Sequence, residues 1–215
     1  MNPMNISAPG PLDAFILDLD GTLWDASAAC AMAWNKTFAE AGYTDTVENR
    51  TIRIISGTPM EVVLREHYTF IKEKDYGRIV ESYKVNEAFF MRKPGGRLFS
   101  HVLQTLKTLS LKTRLYIVSN CMEGYIENFL ALKKLEKFFH GYICSGDTGL
   151  SKGENIGLLI GKYKPGSPVY VGDTSWDYEA SKKNRIPFIH AAYGFGKVDG
   201  AEYAVRDFRE LLTLI

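Results

Sequence analysis

The chain has few of the residues that build a disulfide or zinc scaffold. Only three cysteines occur in 215 residues, Cys30, Cys121 and Cys144. They are widely spaced, form no C-x-x-C and cannot all pair within one chain, so a disulfide framework is excluded. The four histidines, His67, His101, His140 and His190, are far apart, and a Cys/His zinc site is not expected. Reduced thiols in a cytoplasmic protein are the simpler expectation. No apolar run approaches the roughly 18 residues that a membrane-spanning helix needs. Met1 to Leu12 lacks a basic start and an apolar stretch, so it is not expected to be a signal peptide. Internal repeats and low-complexity segments are lacking too. Charge of either sign is not in excess: 26 Lys and Arg face 25 Asp and Glu, a net +1. This gives no global attraction to nucleic acid or an anionic membrane, and any attraction to an anion must be local. What is present is apolar mass. The 12 Phe, 12 Tyr and 3 Trp can fill a sizeable core, and 46% hydrophobic content argues against disorder.

Five short apolar runs read as strands: Ala14 to Leu19, Leu115 to Val118, Tyr142 to Cys144, Val169 to Val171, and Phe188 to Ile189 with its neighbours. Several lack alternation, as expected for strands buried on both faces of a parallel sheet. Helical patterns separate the later runs, over Phe99 to Leu109, Tyr125 to Leu135, Asn155 to Tyr163 and Trp176 to Asn184. Alternating strand and helix predicts an α/β fold with a doubly wound, mainly parallel, Rossmann-like sheet. The stretch from Ser27 to Arg92 breaks that rhythm. It reads as helices only, over Ser27 to Ala41, Val47 to Ile55, Met60 to Tyr68 and Lys74 to Met91. The expected organisation is an α/β core of residues 1–26 and 93–215, with an inserted all-helical lid of residues 27–92.

Chemistry concentrates at strand ends. Asp18-Leu19-Asp20-Gly21-Thr22 places two carboxylates after a hydrophobic strand. Taken alone, this fits a metal site, a catalytic pair or a solvated turn. Ser119-Asn120 follows the second run. Lys152, in Gly149-Leu150-Ser151-Lys152-Gly153, follows the third. Gly172-Asp173-Thr174-Ser175-Trp176-Asp177 follows the fourth. Each has a bland explanation: Ser119 or Asn120 can cap a helix, and Thr174 with Asp177 has capping-box spacing. Their joint order at the carboxyl ends of strands, where open α/β sheets bind ligands, favours a site.

The combination resembles the haloacid dehalogenase-like superfamily of phosphohydrolases over nearly the whole chain. Asp18 to Thr22 is similar to its first motif, Ser119 to its second, Lys152 to its third, and Gly172-Asp173-x-x-x-Asp177 to its fourth. The helical insert resembles a C1-type cap. Ala192-Tyr193-Gly194-Phe195-Gly196 is similar to a segment of phosphoglycolate-phosphatase-like members. One departure is that Lys152 is followed by Gly-Glu-Asn rather than a proline-rich sequence.

The resemblance implies a Mg²⁺-dependent phosphatase acting on a small-molecule phosphomonoester. Asp18 would be the nucleophile, Asp20 the general acid and base, and Ser119 and Lys152 the other catalytic residues. Asp18, Asp20 and Asp173 would hold the metal, with Asp177 behind them. Gly21, Thr22, Ser119, Asn120 and Lys152 would meet the substrate phosphate. From the lid, Arg50, Arg53 and Gly57 are candidates for substrate specificity. Trp24, Trp34 and Trp176 are expected to pack rather than to stack on substrate. Four acids against one lysine leave an excess of negative charge, which calls for a cation before a phosphate dianion can bind. Asp20 argues against dehalogenation, which needs no leaving-group acid. A β-phosphoglucomutase-like mutase keeps both carboxylates and stays open, as does, less strongly, a non-catalytic binding module. Nothing in the sequence sets an oligomeric state.

Overall fold

A computed structural model describes residues 12–215. The segment expected to be no signal peptide therefore lies outside the described residues except for Leu12. The chain opens with β1 (Ala14–Leu17) and β2 (Trp24–Asp25). Four helices follow: α1 (Ser27–Glu40), α2 (Asn49–Ile55), α3 (Met60–Val62) and α4 (Tyr76–Arg92). Then come β3 (Arg97–Leu98), α5 (Val102–Leu109), β4 (Arg114–Ser119), α6 (Tyr125–Lys133) and β5 (Gly141–Cys144). The last part holds α7 (Ser145–Thr148), α8 (Lys152–Tyr163), β6 (Pro168–Gly172), α9 (Ser175–Lys183), β7 (Phe188–Ala191) and β8 (Tyr203–Val205).

Six strands form one parallel sheet in the order β5-β4-β1-β6-β7-β8. All of β1 is buried, which explains its unbroken apolar sequence. Its residues still alternate between two layers. Ala14 and Ile16 join Tyr116, Tyr170 and the α8 residues Ile156 and Leu159 on one face. Phe15 and Leu17 join Val102 and Leu106 of α5 and Phe129 of α6 on the other. The fold is thus an α/β Rossmann-like core with helices on both faces and an inserted all-helical cap. No helix among the described residues is long and apolar enough to cross a membrane.

The two ends of the insert are tied together. β2 leads into it and β3 leads out, and they pair antiparallel, Trp24 opposite Leu98 and Asp25 opposite Arg97. Trp24 is fully buried and meets Phe129 edge to face at 4.8 Å and Tyr125 at 5.8 Å. Within the insert, α1 packs along α4, where Trp34 stacks on Tyr83 at 3.9 Å and 18°.

Several expectations need correction. Trp176, in the first turn of α9, is 42% exposed rather than packed. The helix expected from Phe99 begins at Val102: His101 has φ +63, outside helical geometry, and Phe99 instead meets Tyr193 at 5.2 Å. The helix expected over Met60 to Tyr68 is α3 followed by a π-helical turn, Val63–His67. The helix expected from Asn155 starts earlier, at Lys152, where Ser151 and Glu154 form a capping box. The three-residue edge strand β8 carried too little pattern to be expected.

Phe129 supports the junction between core and insert from below. Phe129→Ala is expected to lower stability by about 3–5 kcal/mol, through lost burial and the cavity beneath Trp24. Urea unfolding followed by tryptophan fluorescence measures this.

Candidate active site

Sheet order creates the site. β1 lies between β4 and β6, with Leu17 opposite both Ile117 and Val171. The chain therefore delivers Asp18, Ser119 and Asp173 side by side at the carboxyl edge. The Asp18 N–H donates to the Val171 carbonyl at 2.9 Å, extending the pairing by one residue. After Asp18 the backbone turns sharply. Leu23 N–H donates to Leu19 O at 2.8 Å, and Gly21 has φ +85, a conformation that favours glycine.

Lys152 enters from the first turn of α8 and is only 3% exposed. Its Nζ donates to Asp18 Oδ1 at 2.8 Å and to Asp177 Oδ1 at 2.6 Å. Asp177 is held from every side. Its Oδ1 also accepts from the Tyr170 hydroxyl at 3.1 Å, and its Oδ2 accepts from the Thr174 N–H at 3.0 Å and hydroxyl at 2.7 Å. The capping box on α9 therefore also orients the lysine.

Asp173 is fully buried against a glycine cradle. Its Oδ2 accepts from the N–H groups of Phe195 at 2.8 Å and Gly196 at 3.3 Å, and the Thr22 hydroxyl donates to Oδ1 at 3.5 Å. A Cβ on Gly21 would overlap the Asp173 carboxylate, and one on Gly194 would overlap Asp173 Cβ and the Gly21 carbonyl oxygen. One oxygen from each of Asp18, Asp173 and Asp177 lies within 4.8 Å of the others. Each Asp177 oxygen accepts two protein donors, whereas Asp173 Oδ1 has only the long Thr22 contact and Asp18 only the lysine bond, so Asp18 and Asp173 are the better fit to a hard cation such as Mg²⁺.

The acids shift one another. Burial, with the Asp177 charge added, pushes Asp18 up to about 6 against the pull of Lys152. Burial and the charges of Asp177 and Asp18 push Asp173 up to about 8. Burial alone would depress Lys152, but the two carboxylates it touches outweigh that and raise it. The ammonium has two acidic partners, whereas Asp18 has one ammonium and further acids beside it. Both members of the ion pair are therefore shifted upward.

Asp20 opens into the pocket beside Asp18, and the Tyr125 hydroxyl donates to its Oδ1 at 2.8 Å. Desolvation pushes its carboxyl well above the usual range despite that bond, with Asp18, Glu87 and Asp173 adding repulsion. The structure thus gathers Asp18, Asp20, Gly21, Thr22, Ser119, Lys152, Asp173 and Asp177. Asn120 also lines the pocket, but its side chain is engaged at both ends: Nδ2 donates to Gly57 O at 2.7 Å, and Oδ1 accepts from Ser145 at 2.9 Å. It fastens the insert to the core. Gly57 reaches the pocket by this contact, with Thr174 behind it.

Arg50 and Arg53 are not brought to the acids. They border a separate cleft with Phe99 and Phe195, and Arg53 pairs with Asp25 at 2.6 Å and donates to Ser27 at 3.2 Å. Sequence reasoning missed Tyr125, Tyr170, Tyr83 and Glu87. Tyr170 had a signal, a tyrosine inside an apolar strand two residues before Gly172. Gly194 and Gly196 enter the sequence only through the family resemblance, which does not show their contact with Asp173.

Gly194→Ala is expected to cost about 2–3 kcal/mol, because the clash falls on backbone and on a pinned carboxylate rather than on a mobile side chain. A chemical-denaturation curve beside that of the unaltered protein checks this.

Comparison with known proteins agrees with this geometry. A family model described as haloacid dehalogenase-like hydrolase matches residues 15–191. A phosphoglycolate phosphatase from Aquifex aeolicus (strain VF5) is 28% identical over 193 residues, covering 86% of each chain. Pyrophosphatase PpaX from Oceanobacillus iheyensis is 24% identical over 212 residues, covering 93% of this chain and 95% of that one. A haloacid dehalogenase-like family hydrolase from Streptococcus pneumoniae superposes with a TM-score of 0.79 at 23% identity, covering 94% of this chain and 98% of that one. With its motif residues assembled at the sheet edge and the family match spanning most of its length, the chain belongs to the haloacid dehalogenase-like hydrolases.

Proposed function

We propose that the protein is a Mg²⁺-dependent phosphatase that hydrolyses a small-molecule phosphomonoester through an aspartyl-phosphate on Asp18. The observation that carries this reading is the unequal surroundings of Asp18 and Asp20 in one pocket. Asp18 is held by the Lys152 ammonium, whereas Asp20 has only a neutral tyrosine and neighbouring acids. Two carboxyls in such different environments divide into a nucleophile and a proton donor.

In the first step an Asp18 oxygen attacks phosphorus, and the bond from phosphorus to the alcohol oxygen breaks in line. Asp20, which its surroundings keep protonated, gives its proton to the departing oxygen. In the second step water attacks the phosphorus, and the Asp20 carboxylate takes its proton. The bond from phosphorus to Asp18 breaks, releasing phosphate and the free carboxylate. Ser119, which lines the pocket, would meet a phosphoryl oxygen, the family resemblance gives the Gly21-Thr22 turn the same role, and Lys152 offsets charge on Asp18. Asp177 is a positioning residue that aims Lys152. Asn120 acts by holding Gly57 of the cap rather than by offering a free amide.

The residues present fit a magnesium ion: oxygen donors only, with one buried lysine against several acids. The Asp18 and Asp173 carboxylates and the Asp20 main-chain carbonyl would hold it. When bound, it supplies positive charge against the phosphate dianion and the surrounding carboxylates. In this reading residues 27–92 are a cap that shields the reaction of the core, residues 1–26 and 93–215, from water.

The purified protein is expected to release phosphate from p-nitrophenyl phosphate with Mg²⁺ and to stop when EDTA is added. Asp18→Asn is expected to lose at least about 10³-fold in kcat. Metal-independent turnover, or full activity of that variant, contradicts the mechanism. Independently of turnover, Mg²⁺ is expected to raise the thermal midpoint of the native chain, because a ligand of the folded state stabilises it by mass action. Asp173→Asn is expected to abolish that rise in the same melting experiment.

A further inference from the structure

The pocket above Asp18 and Asp20 has a second wall, built by the cap. Trp34 of α1, Ile52 and Ile55 of α2, and Tyr83 and Glu87 of α4 face into it. Tyr83 and Glu87 are one helical turn apart and share a face of α4. Tyr83 is fixed by its stack on Trp34. Glu87 is only 7% exposed, and it forms no ion pair among the described residues. A buried carboxyl without a cationic partner is costly to keep in a cap that is otherwise aromatic and aliphatic. Such a group on the wall of a ligand cavity is placed to accept a hydrogen bond from a donor on the ligand.

The charge around the pocket makes the choice sharper. No Lys, Arg or His among the described residues lines it. Arg53 is turned to Asp25 in the neighbouring cleft, and Lys84, on the outer surface of α4, pairs with Glu123. A leaving group bearing a carboxylate would enter between Asp20 and Glu87 with no cation to meet it. A leaving group bearing hydroxyl or ammonium hydrogens would find an acceptor there.

We propose that Glu87 is the substrate-selecting residue of this site, and that the substrate is a phosphomonoester whose alcohol carries hydroxyl or ammonium donors and no carboxylate. This rests on the phosphatase reading above. It sets the chain apart in substrate class from relatives that carry the name phosphoglycolate phosphatase. Burial pushes the Glu87 carboxyl up to about 7, with a hydrogen bond from Tyr83 pulling the other way, and a donor on the ligand would add to Tyr83 in favouring the carboxylate.

The test is a comparison of kcat/KM for phosphoethanolamine, glycerol phosphate and phosphoglycolate, with Mg²⁺ and with p-nitrophenyl phosphate as reference. The unaltered protein is expected to prefer one of the first two over phosphoglycolate by about 100-fold. The ethanolamine and glycerol arms distinguish a cationic from a neutral donor. Glu87→Gln keeps the shape and is expected to shrink that preference about tenfold. Glu87→Lys is expected to reverse it, and the glutamine variant decides the matter if the lysine variant does not fold. Phosphoglycolate as the preferred ester of the unaltered protein, or an unchanged ratio in Glu87→Gln, overturns the proposal while aryl-phosphate turnover leaves the phosphatase reading standing. Absence of aryl-phosphate turnover in the unaltered protein overturns both.

Discussion

The site depends on one buried cation. Lys152 Nζ sits between Asp18 and Asp177 at 2.8 and 2.6 Å, with all three side chains nearly free of solvent. Removing the ammonium would leave buried carboxylates facing one another, a change that typically costs several kcal/mol. The lysine does not reach its place by chance of rotamer. The Ser151–Glu154 box starts α8 at Lys152, and the Thr174–Asp177 box starts α9 where Asp177 can receive it. Two helix caps and the end of β1 thus converge on one nitrogen atom.

Around that atom the acids are graded rather than equivalent. Asp177 spends both oxygens on protein donors. Asp173 faces main-chain N–H groups and two glycines. Asp18 keeps one oxygen on the lysine, and Asp20 leans on Tyr125. Identical side chains acquire distinct tasks because each has a different set of neighbours. The cap adds a further carboxyl, Glu87, on the opposite wall, so the pocket is acidic at both ends and aromatic between.

Much of this was legible in the sequence where a residue's role follows from its place on a strand. Unbroken apolar runs ending in Asp18, Ser119 and Gly172 marked parallel strands, and parallel strands put their ends together. The sheet core and the all-helical insert followed from the same periodicities. What could not be read depended on contacts across long separations. Tyr125 lies 105 residues from Asp20 and looked like one more apolar position on a helix. Glu87 carried no signal in the sequence of its largely polar helix, and the packing of α4 in the folded chain buries it. Arg50 and Arg53 carried the charge expected of a substrate contact, but α2 turns them to a neighbouring cleft, where Asp25 holds Arg53. Charge in a sequence shows what a residue can bind, not which wall it faces.

The central claim is that Asp18 carries the phosphoryl group. The most direct measurement is to quench the protein during turnover of an aryl phosphate, reduce it with borohydride, and map the modified peptide by mass spectrometry. An acyl phosphate on Asp18 is reduced to homoserine at position 18, and this is the predicted result. Phosphate release with homoserine at another position, or with none formed, would contradict the account.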